Sequence, residues 1–179
     1  MKIEIESSRY PSLAHPKMCL ILTCGREKVN AITLAWHTPI SREPPLYGVS
    51  VSPRRFSYGI IKEEKEFALN FLNFEHWEKV HYCGTHSGKE EDKIAEAGIM
   101  LEPCAEIGTK SIAQAYAVLE CTMHDIVRLG DHELFVGEVK RASVEKEFWN
   151  GKKLKGVKPV YQLGNYTYTT MDDSSEVCP

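Results

Sequence analysis

Two short bends in this chain carry the residue types that hold a phosphate. The first runs Ser50-Val51-Ser52-Pro53-Arg54-Arg55-Phe56-Ser57-Tyr58. It offers serine hydroxyls, backbone N–H groups at the start of a helical pattern, and two guanidinium groups. Arg55 and Ser57 are best placed to converge on one anion, with Arg54 and Ser50 beside them. The second bend runs Cys83-Gly84-Thr85-His86-Ser87-Gly88-Lys89 and is followed by Lys93. Ser87, Gly88 and Lys93 can repeat the same grip. Both bends also have a plainer reading: Ser52 or Ser57 can cap a helix, and Ser87 with Glu90 fits a capping box. Caps and phosphate sites use the same N–H groups. The ligand reading therefore rests on two such bends occurring in one chain.

A third stretch, Asn30-Ala31-Ile32-Thr33-Leu34-Ala35-Trp36-His37, suits the flat part of such a ligand. Its alternation puts Ile32, Leu34 and Trp36 on one strand face and Ala31, Thr33 and Ala35 on the other. The second face is small enough for a planar ring to approach the backbone. A phosphorylated planar molecule is the implied ligand. His81-x-Cys83-x-x-His86 groups three potential metal ligands, but no fourth is evident and the spacing is not a familiar finger pattern. No Ser-His-Asp ordering can be read, so a hydrolase has no support. Asp131 and His132 read as turn formers.

These residues need elements to hold them. Met18–Cys24 and the strand beginning at Val29 form a hairpin across Gly25-Arg26-Glu27-Lys28. The segment Asn30–Ser41 reads as one strand, turned by Pro44-Pro45 into a third strand, Leu46–Val51. Helical spacing follows over Phe56–Lys65, then a strand over Phe67–Leu72. From Phe74 to Ala97 the period is helical again, and Gly98 ends the second helix there. Ala115–Val127 and Glu133–Val139 form a long hairpin turned at Gly130-Asp131. Beyond Arg141 the charge density rises and a loop is expected. Tyr161–Tyr166 reads as a last edge strand or turn, Met1–Glu6 as a short strand, and Asp172–Glu176 as a frayed tail. Many strands with a few helices indicate a mainly β protein, without the βαβ alternation of a doubly wound fold. No Gly-rich dinucleotide fingerprint is present.

With 179 residues, the chain reads as one domain, with a core about 10–145 and a C-terminal excursion and tail over 146–179. A net charge of −3 gives no reason to expect nucleic acid or an anionic membrane as partner. No apolar run reaches the ~20 residues of a membrane helix, and no signal-peptide pattern opens the chain, so a cytoplasmic location is expected. The six cysteines form no CxxC pair and read as small buried apolar residues, with Cys178 exposed.

Several fragments, in order, resemble the flavin reductase-like, FMN-binding split-barrel family that includes flavoredoxin. They are Asn30–Trp36, the Pro-Pro corner, Arg55-Phe56-Ser57-Tyr58, Phe67-Ala68-Leu69-Asn70, Ser87-Gly88 with Asp92-Lys93, Leu119-Glu120-Cys121, and Gly130-Asp131-His132 with Leu134–Val139. The resemblance implies a six-stranded antiparallel Greek-key split barrel that dimerises. It also implies FMN as cofactor, with Thr33, Leu34, Ala35 and Trp36 along the flavin and Ser87, Gly88 and Lys93 at its phosphate. Asn30 and Asn70 join the cofactor-binding set on the same ground. The implied activity passes electrons from NADH or NADPH through flavin to an acceptor: free flavin, ferric iron or a partner protein. A non-enzymatic FMN-binding electron carrier is the alternative.

Overall fold

In the computed structural model, which describes Glu4 and residues 6–171, the strand read as continuous from Asn30 to Ser41 breaks at Ala35-Trp36. Strand β1 covers Lys17–Met18, β2 Leu20–Cys24, β3 Asn30–Leu34, β4 His37–Arg42 and β5 Pro45–Val51. Helix α1 follows at Phe56–Glu64, then β6 at Glu66–Phe71, α2 at Trp77–Thr85 and α3 at Lys93–Glu96. The chain continues through β7 (Leu101–Pro103), β8 (Lys110–Ile112), β9 (Ala117–Leu129), β10 (His132–Val144), β11 (Tyr161–Gly164) and β12 (Thr167–Thr169).

The main sheet has seven antiparallel strands in the order β3-β2-β6-β9-β10-β5-β4, where six were expected. The extra strand is the product of that break. β3 and β4 lie at opposite edges of the sheet, yet only Ala35 and Trp36 separate them in sequence. Three peptide units reach roughly 10 Å, so the two edges must come together and the sheet must curl on itself. The Ser50 N–H donates to the Trp36 carbonyl at 2.9 Å, tying the break to β5. Local alternation cannot reveal this, because the residues before and after the bend are both good strand formers.

Period-two alternation then sorts the side chains into two cores. Leu20, Leu22, Ile32, Leu34, Phe67, Leu69 and Phe135 meet in one cluster. Ile21, Ala31, Ala68 and Val118, from the opposite faces, pack with Val80 and Cys83 of α2 and with Ile112. Much of the small face of β3 is therefore taken by a helix. Thr33 Oγ1 donates to the Val80 carbonyl at 2.6 Å, and Gly84 packs against Thr33 so closely that a Cβ there would lie 3.3 Å from Thr33 Cβ.

The helical reading of Phe74–Ala97 resolves into a 3-10 turn at Phe74–His76 and helices α2 and α3, with residues 86–92 between the helices. Asp92, not Ser87, caps α3: its Oδ1 accepts from the N–H groups of Ile94 and Ala95. Gly98 ends α3 with φ +58°, as its position predicts. β10 runs to Val144, past the loop expected beyond Arg141, because residues 141–144 stay paired with Ala117–Glu120 of β9. β11 forms a small sheet with β1 and β12, and Val157 and Val160 are buried. The short hairpin of β7 and β8 was not evident in the sequence. The expected strand at Met1–Glu6, the tail at Asp172–Glu176 and Cys178 lie outside the described residues. Cys19, Cys24, Cys83 and Cys121 are buried free thiols.

Gly137 in β10 allows Phe67 to fill the sheet interior. A Cβ there would lie 2.5 Å from Phe67 Cζ and 2.9 Å from Cys121 Cβ. Gly137→Ala is expected to lower unfolding free energy by about 1–3 kcal/mol through overpacking, read as a lower urea midpoint. An unchanged midpoint would contradict this packing.

Candidate functional site

The closure of the sheet brings the β3–β4 break, the end of β5 and the start of α1 to one place, and α2 carries the second bend against them. Between these elements lies a cleft of about 250 Å³. Thr33, Leu34, Ala35, Trp36, Ser50, Arg54, Arg55, Ser57, Ser87, Gly88 and Lys93 all line it. Every residue singled out from the sequence is here except Asn30 and Asn70.

The first bend supplies charge and N–H groups. Arg55 is the N-cap of α1 and makes no side-chain cap, and no hydrogen bond is formed within the described chain by the N–H of Phe56 or Ser57. Among the described residues Ser52 Oγ accepts only from the Arg54 N–H, at 3.5 Å. Arg54 and Arg55 are exposed and form no salt bridge among the described residues. Uncapped helix N–H groups beside two guanidinium groups without an ion pair among the described residues are an arrangement able to receive an anion.

The second bend supplies a buried cation. Lys93 is only 4% exposed, and its Nζ donates to one partner among the described residues, the Cys83 carbonyl at 3.2 Å. Burial holds its pKa below the ordinary lysine value, and Arg55 pushes in the same direction. An ammonium with three N–H bonds, one protein acceptor and a place on a cleft wall is complemented by an anionic ligand. Ser87 lines the cleft, and its Oγ accepts from the Lys89 N–H at 3.3 Å.

Asn30 stands behind this wall. Its Nδ2 donates to Ser57 Oγ at 2.7 Å, and its Oδ1 occupies the space that a Cβ on Gly88 would need. It thus holds one residue from each bend, without lining the cleft itself. Asn70 lies elsewhere, fully buried. Its Nδ2 donates to Ile21 O and Thr23 Oγ1, and its Oδ1 accepts from the Ile112 N–H at 2.8 Å, which pins β8 to the main sheet.

Trp36, expected to share a strand face with Ile32 and Leu34, is 38% exposed where those two are buried, because the chain bends at Ala35. Its ring lies 4.9 Å from that of His132, with Lys17 Nζ 5.9 Å from its centroid. His132 also lines the cleft, and sequence reasoning passed over it as a turn former. Its Nδ1 is 2.9 Å from Asp131 Oδ1, and that contact holds the Asp131 carboxyl below its usual range. The signal was its place immediately after a tight hairpin turn, where a side chain can be aimed across a sheet end. The possible metal triplet disperses around α2: His81 meets Tyr168, His86 stacks on Tyr82, and Cys83 is buried. Among the described residues no His, Cys, Asp and Glu cluster could hold a metal ion.

The model of the flavin reductase like domain matches residues 12–168. The chain belongs to the flavin reductase like family. A protein of Archaeoglobus fulgidus is 33% identical over 138 residues, which cover 77% of this chain and 78% of the relative. The FMN-binding protein from Thermus thermophilus, solved with bound p-hydroxybenzaldehyde, superposes with a TM-score of 0.88 at 27% identity, covering 100% of both chains. Flavoredoxin from Methanosarcina acetivorans shares the fold, with a TM-score of 0.86 at 24% identity over 99% of this chain and 95% of that one.

In this family member the buried ammonium makes a pH signature. A lysine whose folded pKa is lowered destabilises the folded state while protonated. Stability is then regained as pH rises from the lowered value toward the ordinary 10.5. Lys93→Met removes the effect, so ligand-free wild-type protein should gain stability on the variant over that window, measured by urea unfolding at stepped pH. A flat difference would show that Lys93 is not desolvated.

Proposed function

We propose that the chain is an NAD(P)H-dependent FMN oxidoreductase, a cytoplasmic homodimer that passes electrons through FMN to free flavin, ferric iron or a partner protein. The observation that carries this reading is the meeting of the two bends at one cleft beside the small-residue end of β3. The family match and the FMN-binding relative from Thermus thermophilus support it. The described helices include none long and apolar enough to cross a membrane.

The residues present fit an FMN phosphate. Among the described residues Lys93 has one acceptor for its three N–H bonds, the first turn of α1 lacks a side-chain cap, and Gly88 brings backbone where a side chain would collide with Asn30. Arg55, Ser57, Ser87, Gly88 and Lys93 would hold the phosphate, with Arg54 at the rim. Thr33, Leu34, Ala35 and Ser50 would border the ring system, and Trp36 and His132 would flank its open side. FMN bound there supplies the hydride and single-electron chemistry, so no side chain need act as acid or base. The chain's own work is to neutralise the phosphate, to fix the ring against backbone, and to keep one side accessible to a nicotinamide and an acceptor.

Lys93→Gln is expected to weaken FMN binding by about 10–100-fold, the worth of a charge-assisted contact, while leaving riboflavin, which has no phosphate, unchanged. Fluorescence quenching titrations measure both, and equal losses for the two would remove the phosphate assignment. Mixing the FMN complex with NADH and NADPH should bleach the flavin band with at least one of them. Reduction by dithionite but by neither nucleotide would make the protein an electron carrier, a reading that the missing dinucleotide fingerprint favours.

A further inference from the structure

A larger hollow, of about 650 Å³, opens where β6 ends at Phe71 and β9 begins, between Met18 of β1 and the chain leading into β11. None of the residues around it lines the cleft. Its size is that of a small-molecule site, and its walls are mostly apolar, with Phe71, Leu119, Leu154, Val157 and Pro159 among them.

One buried residue on this wall has a polar group without a partner. Tyr116 is 4% exposed, and its backbone is fixed at both ends. Its N–H donates to the Phe71 carbonyl and its carbonyl accepts from the Glu145 N–H, both at 2.8 Å. Its ring packs against those of Phe71 and Phe148, with centroids 6.3 and 6.1 Å away. The hydroxyl, however, forms no hydrogen bond with any described residue. Nor is it walled in, because Thr170 Oγ1 is the one side-chain atom among the described residues both sealed from solvent and unpartnered. The Tyr116 oxygen therefore opens on the hollow its side chain lines. Burial raises its pKa, and Tyr161 and Tyr47 push the same way, so it stays a neutral O–H donor. The Tyr161 hydroxyl, also on the wall, donates to a weak acceptor, Met171 Sδ, at 3.4 Å. The charged residues there are Lys153 and Lys155, and among the described residues no carboxylate and no arginine lines the hollow.

We propose that this hollow binds a monocarboxylate with an apolar body, aliphatic or aromatic. The Tyr116 hydroxyl donates to the carboxylate, the lysines supply counter-charge, and the body covers the apolar wall. A buried donor without an acceptor is costly, and an acidic head removes that cost. The sign of the head follows from a wall that carries ammonium groups and no carboxylate. Its single charge follows from the donors: the guanidinium groups and helix start that mark the cleft have no counterpart here, and a phenol with point-charge ammonium groups suits a weaker anion than phosphate. The inference does not depend on what the cleft binds.

Isothermal titration calorimetry with octanoate and 2-naphthoate, each against its neutral primary amide, provides the test. At least one acid should bind with a dissociation constant below about 100 µM and about tenfold tighter than its amide. The tighter acid tells a chain from a ring. Tyr116→Phe should weaken that acid about tenfold, while the urea midpoint of the ligand-free protein holds, because the hydroxyl has no partner to lose. Lys155→Gln, a change at an exposed position, should weaken it about threefold and leave the amide unchanged. Failure of both acids to bind, equal binding of acid and amide, or an acid affinity that Tyr116→Phe leaves unaltered overturns the proposal. If neither acid binds and Lys155→Glu shifts the chain between monomer and dimer in sedimentation velocity, the hollow is part of an interface between copies, and the proposal falls.

Discussion

The architecture depends on one covalent constraint. β3 and β4 sit at opposite edges of a seven-stranded sheet and are joined through Ala35 and Trp36 alone. A chain that short cannot cross an open sheet of that width, so the sheet is obliged to curl until its edges meet. The same closure carries the end of β5, and with it Arg54, Arg55 and Ser57, to the exposed break in β3. The site is therefore a consequence of the connection, and the break at Ala35 is both the hinge of the fold and part of the cleft wall.

A second constraint is electrostatic. Lys93 is buried beside Cys83 with one carbonyl to accept from it, a state the folded chain tolerates at some expense in stability. An anion in the cleft would relieve it, and the uncapped start of α1 adds to the same demand. Folding thus leaves unmet donors at one place, and Asn30 keeps them in register by bonding Ser57 and standing against Gly88. Such local inconsistency is what a binding site looks like in a structure whose other buried polar groups are largely satisfied.

Much of this was legible residue by residue. The apolar run over Met18–Cys24 and the alternation over Phe67–Leu72 marked strands, Gly98 marked a helix end, and the serine and arginine bends singled out stretches that line one cleft. Other features could not be read that way. Asn70 sits in a segment that resembles family members, yet its amide serves β8 and the core, because its direction depends on which strand lies above it. His132 looked like turn chemistry and stands on the cleft because β10 is paired with β5. The α3 cap moved from Ser87 to Asp92, since either residue satisfies the local rule and packing chose between them.

What the sequence determined by itself was the supply of chemistry and the class of structure: phosphate-binding residue types on two bends, small residues on one strand, and mostly β elements from period-two alternation. Those depend on residue type and near neighbours, which a sequence states directly. Only the tertiary structure decided that the two bends face one cleft and that the strand read as continuous from Asn30 to Ser41 is broken beside it. Those depend on which strands pair and where the sheet closes, and the contacts that set them join residues far apart along the chain.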